Sequence, residues 1–284
     1  MEYTVIHGQT MDEERALYGS NHIKVEQCKF DGPADGESAI KECNDVIIED
    51  TYFNLRYPLW HVHGLTISNS EMTQNCRAAL WYSDHVSIDQ TKMHGIKACR
   101  ECVNVTLTHC DIDSPEFGWS THGLTIRDTQ VTGEYLFMRA RDLNVNKMDM
   151  HGKYSFQYIE NATFENCTFD TKDAFWHGKN ITLKNCTIKG EYLAWYSDHI
   201  TFDHCTIIGT QPLCYCDPLT LIECQMIDTD LAFEKSYVNA TITSPMISIK
   251  NPYTGTISVP SVGQIIRDDT KSDAIITIIG QNNA

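Results

Sequence analysis

The sequence predicts an all-β protein that forms a single-stranded right-handed parallel β-helix. A short frame of alternating apolar residues recurs at a constant interval along the chain, and all five tryptophans fall in one column of this repeat. Each repeat also holds three short stretches of period-two alternation, which indicates strands. Three short strands in one repeat fit one coil of a β-helix, whereas helix-pair repeats need more than about 30 residues.

The repeat is clearest around Cys186. The frame Ile181–Ile188 recurs with the same spacing around Cys167 and Cys205. Positions equivalent to Cys186 follow one another at one constant interval from Thr91 to Thr243, and equal or slightly longer steps lead back to Cys28. The sequence therefore predicts about 12 coils of about 19 residues over residues 22–245 of one domain that spans residues 1–284.

The two ends do not follow the repeat. Residues 1–21 are predicted to cap the open end of the core, with a short helix at residues 11–19 that ends at Gly19. Residues 246–284 contain four short apolar stretches and are predicted to form C-terminal cap strands or an oligomer contact.

Charge and composition limit the classes of function. The net charge of −16 disfavours broad binding to nucleic acid or to an anionic membrane, and no apolar run is long enough to span a bilayer. The N-terminus lacks the features of a secretory signal, so we expect a cytoplasmic protein. In that compartment the 12 cysteines are expected to be free thiols, and those in the Cys186 column to stack in the core.

The third stretch of each coil carries the candidate site. A polar column follows the tryptophan column and is expected to face solvent, so by alternation the tryptophans are expected to point inward. By the same parity two flanking columns are expected to face outward, and they include three phenylalanines. The resulting aromatic and charged surface suggests binding of a sugar chain. The candidate binding residues are Tyr135, Phe137, Tyr154, Phe156, Phe175 and Tyr196.

The same face suggests a reaction. An arginine beside a sugar carboxylate, with a tyrosine or histidine as base, suits β-elimination by a polysaccharide lyase. Hydrolysis by a carboxylate pair is a second option, because Glu160 and Asp198 are expected about 9.6 Å apart. The candidate catalytic residues are Arg139, Arg141, Tyr158, Glu160 and His177. Whether the chain is an enzyme stays open at this stage.

Three alternatives accompany this interpretation. The charges at 141, 160, 179 and 198 alternate in sign, which would stabilise stacked coils without any chemistry. The aromatic face could instead be covered by a terminal segment or a second subunit, which would make the protein a non-catalytic scaffold or a homo-oligomer. A metal at His61, His63 and Asp84 is the third alternative. The main prediction includes no metal and no cofactor.

The Asn-x-Thr coils around the cysteines, together with the corners that begin with tryptophan, resemble a bacterial family of pectin-lyase-like β-helix proteins. Its members have a domain of unknown function and are sometimes labelled hydrogenases. The resemblance covers nearly the whole chain and implies the fold, but no activity and no catalytic residues. The hydrogenase label finds no support, because the cysteines form a ladder and not the paired motifs of a metal cluster.

Overall fold

A computed structural model describes residues 2–279, and its regular secondary structure consists of parallel strands. This is the predicted right-handed parallel β-helix, with about 14 turns of about 19 residues. The chain divides into two compact units, the first ending at Asn144 and the second beginning at Val145. The prediction of one domain with the boundaries 1–21, 22–245 and 246–284 stays a prediction.

The first unit contains two parallel faces and one short strand pair. Six-residue strands form one face, and strands of two or three residues form the other. The strands are β1 (Thr4–His7), β2 (Thr10–Met11), β3 (Asn21–Glu26), β4 (Lys29–Phe30), β5 (Asn44–Glu49), β6 (Tyr52–Phe53), β7 (Leu59–Trp60), β8 (His63–Ser68), β9 (Glu71–Met72), β10 (Leu80–Trp81), β11 (Asp84–Asp89), β12 (Lys92–Met93), β13 (Val103–Thr108), β14 (Asp111–Asp113) and β15 (His122–Glu134). Strand β16 (Arg141–Lys153) contains the boundary between the units.

The second unit repeats the same two faces. Its strands pair in register one repeat apart, so that Ile181 lies opposite Ile200 and Thr182 opposite Thr201. The strands are β17 (Glu160–Glu165), β18 (Thr168–Lys172), β19 (Lys179–Lys184), β20 (Thr187–Lys189), β21 (Asp198–Asp203), β22 (Thr206–Ile208), β23 (Leu219–Ile227), β24 (Tyr237–Ile242), β25 (Met246–Lys250), β26 (Thr254–Val259), β27 (Val262–Ile266) and β28 (Ile275–Ile278).

Alternation explains the strands of the longer face. In β19 the side chains of Ile181 and Leu183 are buried, whereas Thr182 between them reaches the surface. Each apolar residue stacks on its counterpart in the next coil, so the repeated frame produces a continuous core within each unit. The predicted inward positions of the frame are confirmed.

Strands extend beyond the predicted coil range at both ends. Strand β1 pairs with β3, and β28 pairs with β26. Residues 12–19 form turns, so the predicted helix at residues 11–19 is wrong. N–H groups of Arg15, Leu17 and Gly19 donate to carbonyl groups of residues 37–41 in the next coil, which fixes these turns in coil geometry. Pairing at both ends explains why the turns outnumber the predicted 12.

In most coils the third side is a turn, although β7 and β10 form a two-residue strand pair there. In one coil of the second unit Asp173, Phe175 and His177 all have positive φ, between 55° and 62°. Their N–H groups donate to carbonyl groups of adjacent coils, for example from Phe175 to Ser155 at 3.0 Å. A left-handed residue redirects the chain, so the side chains here do not alternate with a period of two.

This geometry overturns the predicted parity of the third side. Phe137, Phe156 and Phe175 are fully buried and not exposed as predicted. Trp176 and Trp195 are half-buried, with stacked rings 5.4 Å apart, and do not point into the core. The other three tryptophans are also half-buried. The polar column behaves as expected, with Tyr158 and Tyr196 exposed, and so does the second flanking column, in which Val103 and Lys179 are exposed.

All 12 cysteines are buried and free in the structure, as predicted. The Cys186 thiol donates to the carbonyl oxygen of Lys184 at 3.2 Å. Thr91, at the equivalent position, donates its hydroxyl to Asp89 in the same way. This position in the coil therefore favours a small side chain that can donate a hydrogen bond. Among residues 2–279 the structure has no helix that is long and apolar enough to cross a membrane.

Candidate functional site

The structure divides the predicted catalytic residues between the two units. Arg139 and Arg141 belong to the first unit, whereas Tyr158, Glu160 and His177 belong to the second. The predicted binding residues divide in the same way, with Tyr135 and Phe137 in the first unit and Tyr154, Phe156, Phe175 and Tyr196 in the second. Their catalytic and binding roles stay predictions, apart from the phenylalanines, whose burial removes them from any surface site.

Four side chains of the second unit form a continuous aromatic stack. We call Tyr158, His177, Tyr196 and Tyr215 the tyrosine–histidine stack. Neighbouring ring centroids are 4.9, 5.1 and 4.6 Å apart, and adjacent planes lie within 10° of parallel. Burial raises the pKa of Tyr215, and the nearby Glu234 carboxylate adds to this increase.

The stack does not offer the flat platform that the sequence suggested. Inside the stack each ring is covered on both faces by its neighbours, because the rings stand one coil apart. A sugar that packs on an aromatic residue needs an open ring face, because its apolar C–H groups approach the negative face of the ring. His177 and Tyr196 therefore present ring edges, and the stack contributes mainly to holding the coils together.

Two further sequence hypotheses concern charged residues. Glu160, Lys179 and Asp198 occupy one register position in successive coils of the second unit, as the predicted charge ladder requires. In the first unit His63 bonds to Asp84 at 2.5 Å, and His85 bonds to the other oxygen of that carboxylate at 2.7 Å. Both bonds lower the pKa of Asp84. No group of three potential metal ligands was found among residues 2–279.

The first unit contains a polar cleft that the sequence interpretation missed. Its volume is about 630 Å³, and a smaller cavity of about 390 Å³ shares Asn54, Gln74 and Asn75 with it. We call both together the polar cleft. Seven of the ten residues that line the larger cavity carry an amide, a carboxylate or a guanidinium group, and two are apolar. The lining residues of the larger cavity are Asp31, Gly32, Asp35, Asn54, Leu55, Arg56, Gln74, Asn75, Arg77 and Ile96.

The cleft lies where successive coils pass from the short strands to the third side. Backbone N–H groups of Ser38, Tyr57 and Ala78 donate to the carbonyl groups of Arg56, Arg77 and Ile96. These bonds stack the loops in register. Gly95 is required for this stacking, because a Cβ atom there would collide with the Cys76 carbonyl group. The loops that follow β4, β6, β9 and β12 are therefore held by backbone contacts.

A hydrogen-bond network orients the amides of the cleft. Asn54 donates its side-chain amide to Asp31 at 2.8 Å, and its carbonyl oxygen accepts from Thr73 and Asn75 at 2.6 and 3.0 Å. The Asn75 N–H donates to the Thr73 hydroxyl at 3.2 Å. Each member bonds to a different coil or to its own loop, so these side chains are fixed before any ligand arrives.

Two arginines occupy equivalent loop positions in adjacent coils. Arg56 bonds to Asp35 at 3.1 Å and lies 3.9 Å from Glu37. Arg77 is exposed and has no ion-pair partner within residues 2–279. Beneath them Leu55 is buried, and burial raises the pKa of the Cys76 thiol to about 12, so this thiol is neutral.

One sequence feature could have located the cleft. The repeat has a constant length except in two of the first coils, which are longer. The additional residues fall between the short strand and the third side, at the loops that carry Asp35 and Asn75. Local insertions in a solenoid map to loops on one face and often mark a binding face.

Comparison with known proteins gives a family for the chain. The family described as "Protein of unknown function (DUF3737)" matches residues 4–279. The chain belongs to this family. The match includes all the strands of the structure and the polar cleft, and it agrees with the resemblance seen in the sequence. No curated protein matches the sequence significantly.

Several solved structures share a general similarity with the chain. The surface adhesin PfbA of Streptococcus pneumoniae is 10% identical, with a TM-score of 0.37, and the match covers 87% of this chain and 71% of that one. The periplasmic alginate epimerase AlgG is also 10% identical, with a TM-score of 0.33 and coverage of 92% and 78%. The A-module of the mannuronan C-5 epimerase AlgE4 of Azotobacter vinelandii is 10% identical, with a TM-score of 0.28 and coverage of 98% and 79%. No activity is transferred from these proteins.

Proposed function

We propose that the protein binds carbohydrate and that the polar cleft of the first unit is its binding site. The observation that carries this proposal is the lining of the cleft. Amide, carboxylate and guanidinium groups converge on a volume of about 630 Å³, which lies within the range of about 300–1,000 Å³ typical of ligand sites. Hydroxyl-rich ligands need this mixture of donors and acceptors.

The network around Asn54 supports a sugar ligand. A buried polar group that loses water must gain hydrogen bonds, and a sugar presents several hydroxyls that both donate and accept. Asn54 and Asn75 are already oriented by their neighbours, so binding would cost little side-chain ordering. An apolar ligand would leave the second N–H of the Asn54 amide and the side-chain carbonyl of Asn75 without partners, which disfavours hydrophobic ligands at this position.

The surface that carries the tyrosine–histidine stack favours the alternative hypothesis of a non-catalytic scaffold. The ring faces of the stack are used between coils, and its exposed edges are a surface of the second unit. We therefore place glycan binding in the polar cleft and not on the aromatic face predicted from the sequence.

The test is a glycan array followed by titration of any binder with matched variants. Gln74→Ala removes an exposed amide of the cleft, and Gln130→Ala removes an exposed amide of β15 outside it. We expect Gln74→Ala to weaken binding by about 2- to 10-fold, the contribution of one neutral hydrogen bond. Gln130→Ala should leave the Kd unchanged.

A third variant separates the two faces. Tyr196→Ala disrupts the tyrosine–histidine stack and should not change the Kd, because the stack is not part of the polar cleft. Loss of binding in Tyr196→Ala together with normal binding in Gln74→Ala would contradict the proposal. The absence of any binder on an array of neutral and acidic glycans would contradict it as well.

A further inference from the structure

We infer that the ligand of the polar cleft carries an anionic group, a carboxylate or an ester sulfate or phosphate, which Arg77 binds. This inference rests on the proposed function and adds the chemical class of the ligand. Arg77 lines the cleft, is exposed and has no carboxylate within ion-pair distance in the part of the chain that the structure describes.

The two arginines of the cleft place like charges on adjacent coils. Arg56 and Arg77 occupy equivalent positions in adjacent coils, where the Tyr57 N–H donates to the Arg77 carbonyl at 3.2 Å. Like charges at equivalent positions of neighbouring coils destabilise the stack. Arg56 is compensated from the preceding coil by Asp35 and Glu37, whereas the coil after Arg77 presents the apolar Ile96. An anionic ligand would supply the charge that Arg77 lacks.

The two acidic residues of the larger cavity, Asp31 and Asp35, do not supply this charge. The carboxylate of Asp31 accepts the amide of Asn54, and that of Asp35 accepts the guanidinium of Arg56. In a chain with 38 acidic and 22 basic residues, an arginine in a cleft without an acidic partner is a specific local feature. The overall charge of −16 opposes a long polyanion, so the expected ligand is short or carries isolated charges.

The backbone holds Arg77 in position. Its N–H donates to the Asn75 carbonyl at 2.8 Å, and the next residue, Ala78, donates to Ile96 at 2.7 Å. Gly95 lies against this turn, where a Cβ atom would stand 3.1 Å from the Arg77 nitrogen. A guanidinium on a fixed backbone can bind a carboxylate or sulfate through two parallel hydrogen bonds. The side chains of Gln74 and Asn75 lie in the same loop and can donate to the remaining oxygens.

The experiment compares three ligands of equal length by titration calorimetry: a neutral oligosaccharide, its uronate counterpart and its sulfate ester. The wild type should bind at least one anionic ligand about 10-fold more tightly than the neutral one. Which of the two anionic ligands binds identifies the source of the charge. Arg77→Gln should remove this preference, so that the neutral and the anionic ligands bind with about equal Kd. Arg77→Lys keeps the positive charge but loses the planar guanidinium group, so it should retain part of the preference for the anionic ligand.

Arg127→Gln is the matched control, because Arg127 is an exposed arginine of the same unit on β15, outside the cleft. Its preference should equal that of the wild type. Equal affinity for neutral and anionic ligands, or a preference that survives Arg77→Gln, would overturn the inference and leave the proposed function standing. Failure of all three ligands to bind would overturn both.

Discussion

The corner residues determine how tightly one coil can stack on the next. Cys186 and Thr91 occupy the same position in different coils, and both donate to the carbonyl oxygen two residues earlier. Ser70 does the same at 2.8 Å. Sulfur and oxygen donors are therefore interchangeable here, because the position requires only a small side chain that satisfies a carbonyl group.

His204 provides a pH-dependent prediction for a single residue. It bonds to Asp203 at 2.5 Å and to Glu223 at 3.0 Å, and the bond to Asp203 is the largest cause of its raised pKa. A histidine with a raised folded-state pKa stabilises the protein fully below its unfolded pKa, near about 6.5. This stabilisation is lost as the pH rises through the folded-state value.

We therefore expect His204→Gln to lower the free energy of unfolding more at pH 6 than at pH 8.5, as measured by denaturant titration. The control is the same substitution in a chain that also carries Asp203→Asn and Glu223→Gln, where the pH dependence should disappear. An effect of His204→Gln that is equal at both pH values would show that the ion pairs do not form in solution.

On the third side the geometry of the turn determines which side chains are buried and which are exposed. Phe175 has 0% of its surface exposed and packs on Phe156, Phe164 and Phe169 at centroid distances of 4.9–5.7 Å. Two residues later His177 is exposed and stacks between Tyr158 and Tyr196. One turn thus supplies both a core residue and a surface residue, which a regular strand would place on the same face.

This turn predicts different effects of two aromatic substitutions. Phe175→Ala should lower the free energy of unfolding by about 3–5 kcal/mol, the usual cost of a cavity at a buried aromatic residue. Tyr196→Ala should cost about 0.5–1.5 kcal/mol, because 48% of its surface is exposed and it loses mainly ring stacking. Denaturant unfolding of both variants measures the difference. Equal costs would mean that the stack, and not the phenylalanine cluster, stabilises the second unit.

The sequence predicted the buried positions of the strands correctly, but not those of the turns on the third side. The frame around Cys186 predicted the buried positions of β19, because a regular strand alternates with a period of two. The same rule applied to Phe175 was wrong, because positive φ values at Asp173, Phe175 and His177 break the alternation. The polar cleft was missed for a related reason: loops of unequal length form it, and a search for regular repeats passes over them.

Over the whole chain, the high cysteine content is explained by the fold, because the coils bury small side chains. All 12 lie in the buried interior of the coils, and burial raises the pKa of Cys76, Cys214 and Cys216 to about 12. Only the thiolate reacts with common thiol reagents, and at pH 8 only about one in 10⁴ thiols with this pKa is ionised. Burial and low ionisation together protect these three thiols, and burial shields the other nine.

The freshly purified protein should therefore show almost no reaction with a thiol reagent at pH 8, and all 12 thiols should react once denaturant is added without reductant. The rate of modification below the unfolding transition measures how often coils open locally, because each thiol becomes reactive only when its coil separates from its neighbours. Rapid labelling of several cysteines in the native protein would contradict the packed interior described here. Fewer than 12 reactive thiols after unfolding would instead reveal disulfides, which the ladder of separate thiols does not contain.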